Sequence, residues 1–240
     1  GRLDDPAWMA AESGAGFRSF DPVRGGPAHG STVFKVAYDD EALYFGVACA
    51  EPDPAGKTKR LVRRDSSFES DNVAFYLDPY GDHTSGYYFS VNSLGVQGDG
   101  TLFDDGSEDN SWDAVWSAET YEDADGWYAE VRVPFSSIRY RPDAPHWGLD
   151  VFREARAQGQ VDGWAVWDRD QAGFVSRFGH LSGIQGISAP RQLDLLPYVV
   201  FSATDPAIPG PEEAVQYRNI GLDLEYGVTA NLVANATVQP

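Results

Sequence analysis

Apolar and polar residues alternate with a period of two over several short stretches of this chain, and turn residues separate the stretches. Phe34, Val36 and Tyr38 fall on one face of a first stretch, and the run 43–49 repeats the pattern. A period of two places successive side chains on opposite faces of a strand. Further predicted strands cover 72–78, 86–92, 114–120, 127–133 and 147–155. Helical signal is confined to 6–11, 57–62 and a single turn at 134–138.

Turn-forming segments separate these strands at short intervals. Segments rich in Pro, Gly, Asp and Asn occupy 79–82, 123–126 and 142–145. Many short strands joined by tight turns are typical of sandwiches and barrels, and hairpins pair antiparallel. The sequence therefore predicts an all-β fold, an antiparallel β-sandwich of jelly-roll type, over residues 1–190.

The character of the chain changes after residue 190. A Pro-rich stretch, 205–211, reads as a linker or long loop. Two longer stretches, 219–226 and 229–238, then alternate with one apolar and one polar face. Strands of this kind are typical of outer-membrane barrels, but they also match any half-buried hairpin. We predict that 191–240 is a linker and a β-hairpin extension resembling the start of such a barrel.

Charge and composition exclude several classes of function. The chain has 240 residues and a formal net charge of −19, which repels a phosphate backbone, so neither nucleic acid nor nucleotide is expected as a ligand. Hydrophobic residues make up 42%, enough for a core. The single cysteine, Cys49, lies in an apolar strand face, which predicts a buried and inert thiol.

Eight short strings carry a resemblance to a known family. In order they are LDDPAW (3–8), YDDEALYFGV (38–47), SDNV (70–73) with LD (77–78), YFSVN (88–92) with GVQ (95–97), SWDAVW (111–116), GWYAEVRVPF (126–135), WG (147–148) with FR (152–153), and FGHL (178–181). Their order and spacing resemble the family 9 carbohydrate-binding-module-like domains. More narrowly, they resemble the version found at the N-terminus of bacterial outer-membrane proteins whose remainder is a β-barrel.

This resemblance implies a non-catalytic module of a cell-envelope protein. Its expected partners are an oligosaccharide or polysaccharide and a C-terminal outer-membrane barrel, and its expected cofactor is structural calcium. It also implies a secreted protein, periplasmic or associated with the outer membrane, with any targeting segment outside this sequence and a role in polysaccharide catabolism.

Sugar recognition needs flat apolar surfaces beside planar polar groups. The parity of the predicted strands nominates side chains of both kinds on outward faces, and three further tryptophans in polar surroundings are candidate stacking platforms. Ordinary solvated faces show the same alternation, so a face without a ligand remains an alternative. The candidates are Trp112, Trp116, Tyr128, Glu130, Arg132, Tyr88, Asn92, Trp164 and Trp167, with Tyr76 and Asn72 offering the same mixture. Trp127 and Trp147 fall on the apolar parity and are predicted to lie in the core.

The loop 99–113 is rich in carboxylates and turn residues. Calcium takes six to eight oxygen ligands from flexible backbone of this kind. The candidate ligands are Asp99, Asp104, Asp105, Asp109 and Asp113. An acidic surface loop is the alternative. The four histidines are scattered, so zinc is not expected, and Met9 has no obvious axial partner, so no haem is expected.

Two other functions stay open from the sequence. One is a protein-interaction domain or a plug associated with a barrel, without a sugar site. The other is part of a polysaccharide hydrolase, which would need two carboxylates flanking a cleft. The sequence contains no Gly-x-Ser-x-Gly nucleophile elbow.

Overall fold

A computed structural model describes residues 1–53, 56–187, 193–203, 216–229 and 232–238. The chain divides into two compact units, Gly1–Ala189 and Pro190–Pro240. Within the described ranges, no helix is both long and apolar enough to span a bilayer. The fold is nearly all β, which confirms the predicted class.

The described residues form sixteen strands and one short helix. In chain order they are α1 (Pro6–Ala10), β1 (Ser13–Gly14), β2 (Arg18–Asp21), β3 (Thr32–Tyr38), β4 (Ala42–Ala50), β5 (Asn72–Asp78), β6 (Gly86–Asn92), β7 (Gln97–Phe103), β8 (Ser107–Asp109), β9 (Ser117–Glu122), β10 (Gly126–Pro134), β11 (Trp147–Ala155), β12 (Gln160–Gly163), β13 (Gly179–Leu181), β14 (Leu193–Ala203), β15 (Gln216–Thr229) and β16 (Leu232–Val238). Short 3-10 turns cover Phe135–Ser137, Arg156–Gln158 and Val175–Arg177.

Two antiparallel sheets build the first unit. The five-stranded sheet has the order β1-β3-β4-β10-β9. The eight-stranded sheet has the order β2-β12-β11-β5-β6-β7-β8, and β13 also pairs with β11. Each sheet turns one face toward the other, so alternate side chains of the longer strands, such as β4, β5 and β10, enter a shared interior.

Aromatic and branched side chains from both sheets fill this interior. Phe45 of β4 and Phe75 of β5 stack with ring centroids 4.6 Å apart, and both are fully buried. Trp127 and Trp147 are buried as predicted. Cys49 is also buried, and this burial raises its thiol pKa to about 12, as expected for an inert thiol.

A buried ion pair crosses the interior at one end. Arg153 of β11 donates to a Glu51 carboxylate oxygen at 3.1 Å and to the Ala50 carbonyl at 2.9 Å. Glu51 also meets the His29 imidazole at 2.8 Å. Because Arg153 belongs to the eight-stranded sheet and Glu51 follows β4 of the five-stranded sheet, the pair links the two sheets. The alternation of residues over 147–155 predicts an apolar inward face, and it did not indicate that the charged Arg153 side chain would lie on that face.

Two predicted elements differ in the structure. The segment 57–62 is not helical, since its Lys57 and Lys59 side chains instead reach Glu122 of β9. The predicted strand 114–120 starts later, as β9 (Ser117–Glu122), so Trp116 precedes the strand instead of lying on it. Contacts between residues far apart in the sequence determine both differences. The local alternation of apolar and polar residues does not reveal such contacts.

The second unit contains β14, β15 and β16 in one antiparallel sheet. The register pairs Leu195 with Leu224, Val199 with Ile220, and Leu222 with Val238, so apolar residues share one face. That face is open to solvent in the described chain: Val199 is 74% exposed and Ile220 is 62% exposed.

The stacked Phe45–Phe75 pair predicts a large cost for cavity formation. Phe45→Ala is expected to lower the free energy of unfolding by about 3–5 kcal/mol, because no neighbouring side chain can refill the space. Urea denaturation measures this change. Phe103→Ala is the control: Phe103 is 46% exposed, so its loss is expected to stay near ~0.5 kcal/mol. Equal losses in the two variants would contradict the assigned core.

Candidate functional site

The outer face of the eight-stranded sheet carries three parallel rows of side chains. Register defines them, because directly paired residues of antiparallel strands lie on the same face. In the middle row, Phe152 of β11 pairs with Ala74 of β5, Ala74 pairs with Ser90 of β6, and Ser90 pairs with Gly98 of β7. Three of these four side chains are small, so this row forms a low floor across the sheet.

An aromatic row borders the floor on one side. Tyr76 of β5 pairs with Tyr88 of β6, and their ring centroids are 5.7 Å apart at an interplanar angle of 37°. Phe174 packs edge-on against Tyr76 at 5.0 Å. These rings form a wall along one side of the low floor.

A polar row borders the other side. Glu154 of β11 pairs with Asn72 of β5, and the Asn72 amide donates to a Glu154 carboxylate oxygen at 2.9 Å. Arg156 donates to the other Glu154 oxygen, also at 2.9 Å. Hydrogen-bonding groups held in fixed positions therefore face the aromatic wall.

Together the rows make a groove that runs across the strands. Two cavities of about 390 and 370 Å³ occupy it, and both are lined by Asn72, Ala74, Tyr76, Glu108 and Glu154. From β12 to β7 the floor spans four strand spacings, or about 19 Å. A groove of this length suits a short chain molecule better than a compact metabolite.

The two ends of the groove differ in chemistry. Phe20, Asp21 and Val161 line the end nearest β2. The end nearest β7 is lined by the loop 65–68, with Phe68, and by Asn110, which accepts a hydrogen bond from the Tyr88 hydroxyl at 2.8 Å.

Two glycines of β7 allow the rings to lie close to the sheet. A Cβ at Gly100 would lie 2.6 Å from the Tyr88 ring and 2.7 Å from the Asp109 carbonyl oxygen. A Cβ at Gly98 would lie 3.0 Å from the Ser90 hydroxyl oxygen and 3.3 Å from Phe68. Position 100 therefore requires glycine, because the Tyr88 ring and the Asp109 carbonyl oxygen lie too close to leave room for a Cβ. At position 98, glycine keeps the floor of the groove low.

Burial shapes the electrostatics of the groove. It raises the pKa of Tyr88 to about 12, and the pKa of Tyr76 is raised for the same reason, so both phenols are neutral at neutral pH. Desolvation also raises the pKa of Glu108, whose charge acts on both tyrosines. Among the described residues, no hydrogen bond or ion pair reaches the Glu108 carboxylate.

Asp150 of β11 pairs with Tyr76, at the end of the aromatic row. Its Oδ1 accepts from the backbone N–H groups of Val151 and Ala165, at 2.8 and 2.9 Å. Its Oδ2 is buried and has no hydrogen-bond partner within the described part of the chain. Burial raises the pKa of this carboxyl to about 8, because the charged form has lost its water.

Of the candidate sugar-binding residues, the structure places Tyr88 in the groove. Trp167 packs edge-on against Phe20 and Phe174, with centroids 5.0 and 5.9 Å away, so it supports the groove from behind. Trp164 instead packs on Phe34, 5.1 Å away, at the edge of the core.

The other two tryptophans belong to the core side. Trp112 packs on Tyr87 with centroids 4.9 Å apart and is half-buried. Trp116 is buried, and its indole N–H donates to an Asp99 carboxylate oxygen at 2.6 Å. The prediction that Trp116 faces outward is wrong, because the chain before β9 turns this ring into the interior.

Tyr128, Glu130 and Arg132 share a face, as parity predicted, but it belongs to the five-stranded sheet. The N-terminal segment covers part of that face, where the Trp8 indole donates to a Glu130 carboxylate oxygen at 2.5 Å. Glu130 is therefore already occupied. Arg132 binds Glu41 at 3.1 Å.

The Asn92 side chain has a structural role and is not available to bind a ligand. Its amide donates to the Arg60 carbonyl and to the Ser70 hydroxyl, and its oxygen accepts from the backbone N–H groups of Leu94 and Val96. The side chain is buried and uses its hydrogen-bonding capacity to hold the turn after β6.

The structure does not gather the five candidate calcium ligands. Asp99 and Asp113 both bind Arg64, Asp105 accepts from Ser176 and from the Phe174 N–H, and Asp109 accepts from Ser111; Asp104 is exposed, with a φ of 51°. Over the described ranges, no group of three or more His, Cys, Asp or Glu side chains is arranged to hold a metal ion. The loop as arranged does not fit a calcium ion, and calcium elsewhere stays a prediction.

Sequence reasoning missed most of the groove. Phe152 and Glu154 lie on the outward parity of 147–155, so that signal was present in the sequence. Glu108, Phe20 and Phe174 come from a short edge strand, another edge strand and a loop, and only the fold brings them beside Tyr76.

Comparison with known proteins identifies the family. Residues 1–181 match the family described as "Carbohydrate family 9 binding domain-like", and the chain belongs to this family. A search of curated protein sequences gives no significant match.

Two solved structures share the fold. One is a family 9 carbohydrate-binding module from Caldicellulosiruptor kristjanssonii in complex with cellotriose, at 17% identity and TM-score 0.52, covering 87% of this chain and 92% of that one. The other is a protein from Bacteroides uniformis ATCC 8492 to which carbohydrate binding is ascribed, at 15% identity and TM-score 0.54, covering 70% and 86%.

The buried Asp150 predicts a dependence of stability on pH. Its pKa is raised in the folded state, so folding opposes ionisation, and the wild type is expected to lose stability as pH rises from about 4 to about 8. Asp150→Asn keeps the accepting oxygen and cannot ionise. Urea denaturation is therefore expected to show the variant gaining at least ~1 kcal/mol over wild type between about pH 5 and about pH 8. The exposed Asp170→Asn should show no such gain, and a constant Asp150→Asn difference across pH would refute the assignment.

Proposed function

We propose that this domain is a non-catalytic carbohydrate-binding module and that the groove on the eight-stranded sheet holds a short segment of an oligosaccharide or polysaccharide. The observation that carries the proposal is the arrangement of three rows: a low floor between an aromatic wall and a polar wall. Sugar rings present C–H faces that pack on aromatic side chains and hydroxyls that pair with carboxylates and amides.

Membership of the family supports this proposal. The Caldicellulosiruptor kristjanssonii module of the same fold was solved with cellotriose, a short linear oligosaccharide. Its sequence identity to this chain is low, so the proposal that the groove takes such a ligand rests on the groove's own residues.

A second tyrosine pair makes the choice of face testable. Tyr121 and Tyr128 on the five-stranded sheet lie 6.0 Å apart at 32°, close to the geometry of Tyr76 and Tyr88. Arg2 already covers Tyr121, with its guanidinium carbon 4.4 Å from the ring centroid. The groove is favoured because its tyrosine wall faces a cavity, whereas the other pair lies beside the N-terminal segment.

We propose binding and not hydrolysis because Glu108 is the one groove carboxylate that the described residues leave without a cation, so the groove offers no second free carboxylate to work with it. A glycosidase needs an acid and a base or nucleophile on opposite sides of the bond. Glu154 is bound to Asn72 and Arg156, which commits both of its oxygens to fixed partners.

The test compares the two tyrosine pairs directly. Affinity electrophoresis against a panel of polysaccharides, followed by calorimetry with the matching trisaccharide, is expected to show binding. Tyr88→Ala is expected to weaken it by about tenfold or more, because a stacking face is lost. Tyr128→Ala removes the same side chain from the other sheet and should leave affinity unchanged. Loss in Tyr128→Ala alone would move the site, and no binding by any variant would refute the proposal.

We further propose that the second unit belongs to a larger antiparallel barrel in the outer membrane, which would place the module at the cell envelope. Strands β14 and β15 have 11 and 14 residues, long enough to cross a bilayer when tilted. The apolar face with Leu195, Val199 and Ile220 has the composition expected of a surface that faces lipid.

Fractionation of cells that make the natural protein tests this second proposal. The protein is expected in the outer membrane, and Val199→Arg is expected to reduce the inserted amount, because a charge on the lipid face costs up to about 2–4 kcal/mol. Thr237→Arg adds the same charge on the opposite face and should insert normally. Recovery of the wild type in a soluble fraction would contradict the proposal.

A further inference from the structure

Glu108 is the one groove carboxylate that the described residues leave without a cation. Asp21 binds Arg169 at 2.9 Å, Asp65 meets Arg64 at 3.3 Å, and Glu154 binds Arg156 at 2.9 Å. Glu108 lines both cavities of the groove and has no such partner among the described residues. A negative charge therefore stands at the centre of the groove.

The surroundings of Glu108 suit a cation. Tyr76 and Tyr88 line the same cavity, and the negative faces of aromatic rings attract an ammonium group. The partial desolvation of Glu108 strengthens its attraction for a positive charge in the same space. The net charge of −19 adds a long-range attraction for cationic ligands.

The groove offers little to an acidic sugar. Arg156 lines it, but its guanidinium is already bound to Glu154. A uronate or sulfate group would approach Glu108 without a free counter-charge, and like charges in a partly desolvated site repel.

From this geometry we propose that the groove takes a glycan containing amino sugars with a free ammonium group, which pairs with the Glu108 carboxylate against the tyrosine wall. The inference rests on the proposed function, since it names the class of sugar held in the same groove. Neutral glycans of the same shape bind there more weakly, and acidic glycans are disfavoured.

Three matched trisaccharides isolate the effect of the ammonium group on affinity. Cellotriose, the glucosamine trimer and the N-acetylglucosamine trimer share one linkage and differ in a single substituent: hydroxyl, ammonium or acetamide. Calorimetry at low salt and mildly acidic pH, where the amino groups of the glucosamine trimer are protonated, is expected to show this trimer binding about tenfold more tightly than cellotriose. Added salt should shrink this preference, because it screens the charge. Lowering the pH through the raised pKa of Glu108 should do the same, because the carboxyl becomes neutral.

Glu108→Gln keeps the shape of the side chain on the exposed strand β8 and removes its charge. It is expected to abolish the preference for the glucosamine trimer while leaving cellotriose affinity within about twofold. Glu12→Gln, an exposed carboxylate outside the groove, makes the same change in net charge and should keep the preference.

The outcomes separate the two proposals. Binding of cellotriose that depends on Tyr88 but shows no preference for the glucosamine trimer would overturn this inference and leave the proposed function standing. A preference that survives in Glu108→Gln would overturn the role of Glu108. Absence of binding by all three trimers and by the polysaccharide panel would overturn both.

Discussion

The register of the central strands β11, β5, β6 and β7 is the constraint on which the rest of the site depends. It fixes Phe152, Ala74, Ser90 and Gly98 in one line across the sheet. A shift by one residue in any of these strands would turn its floor residues inward and its core residues outward. Core burial therefore holds the groove in place, because Phe75 and its neighbours keep the strands in register from the opposite face.

The outer faces of the two sheets differ in what covers them. The five-stranded sheet has its outer face partly covered by the N-terminal segment, where the Trp8 indole binds Glu130. On the outer face of the eight-stranded sheet, the small residues Ala74, Ser90 and Gly98 line a groove. Similar tyrosine pairs on the two sheets thus have different surroundings. Arg2 lies over the ring of Tyr121, whereas Tyr76 and Tyr88 face a groove that also contains Glu108, a carboxylate without a cation among the described residues.

Charge is distributed unevenly between the interior and the groove. Arg153 and Glu51 are both buried and form an ion pair, which costs desolvation but links the sheets. Glu108 is exposed, partly desolvated and without a cation partner among the residues that the structure describes. An ion pair of the first kind is structural, whereas a carboxylate of the second kind retains its capacity to bind a ligand.

The sequence by itself determined the all-β class, the inward faces of β4 and β10 and the burial of Trp127 and Trp147, because strand alternation is a local property that core burial selects. It also identified the family, and Tyr88, Tyr76 and Asn72 as an aromatic and polar mixture. Only the tertiary structure decided that Trp116 turns inward, that Glu130 is covered, that the loop carboxylates separate, and that Glu108, Phe20 and Phe174 meet in one groove. These outcomes depend on contacts between segments far apart in the chain, and parity along a single strand says which side a residue faces but not what lies opposite it.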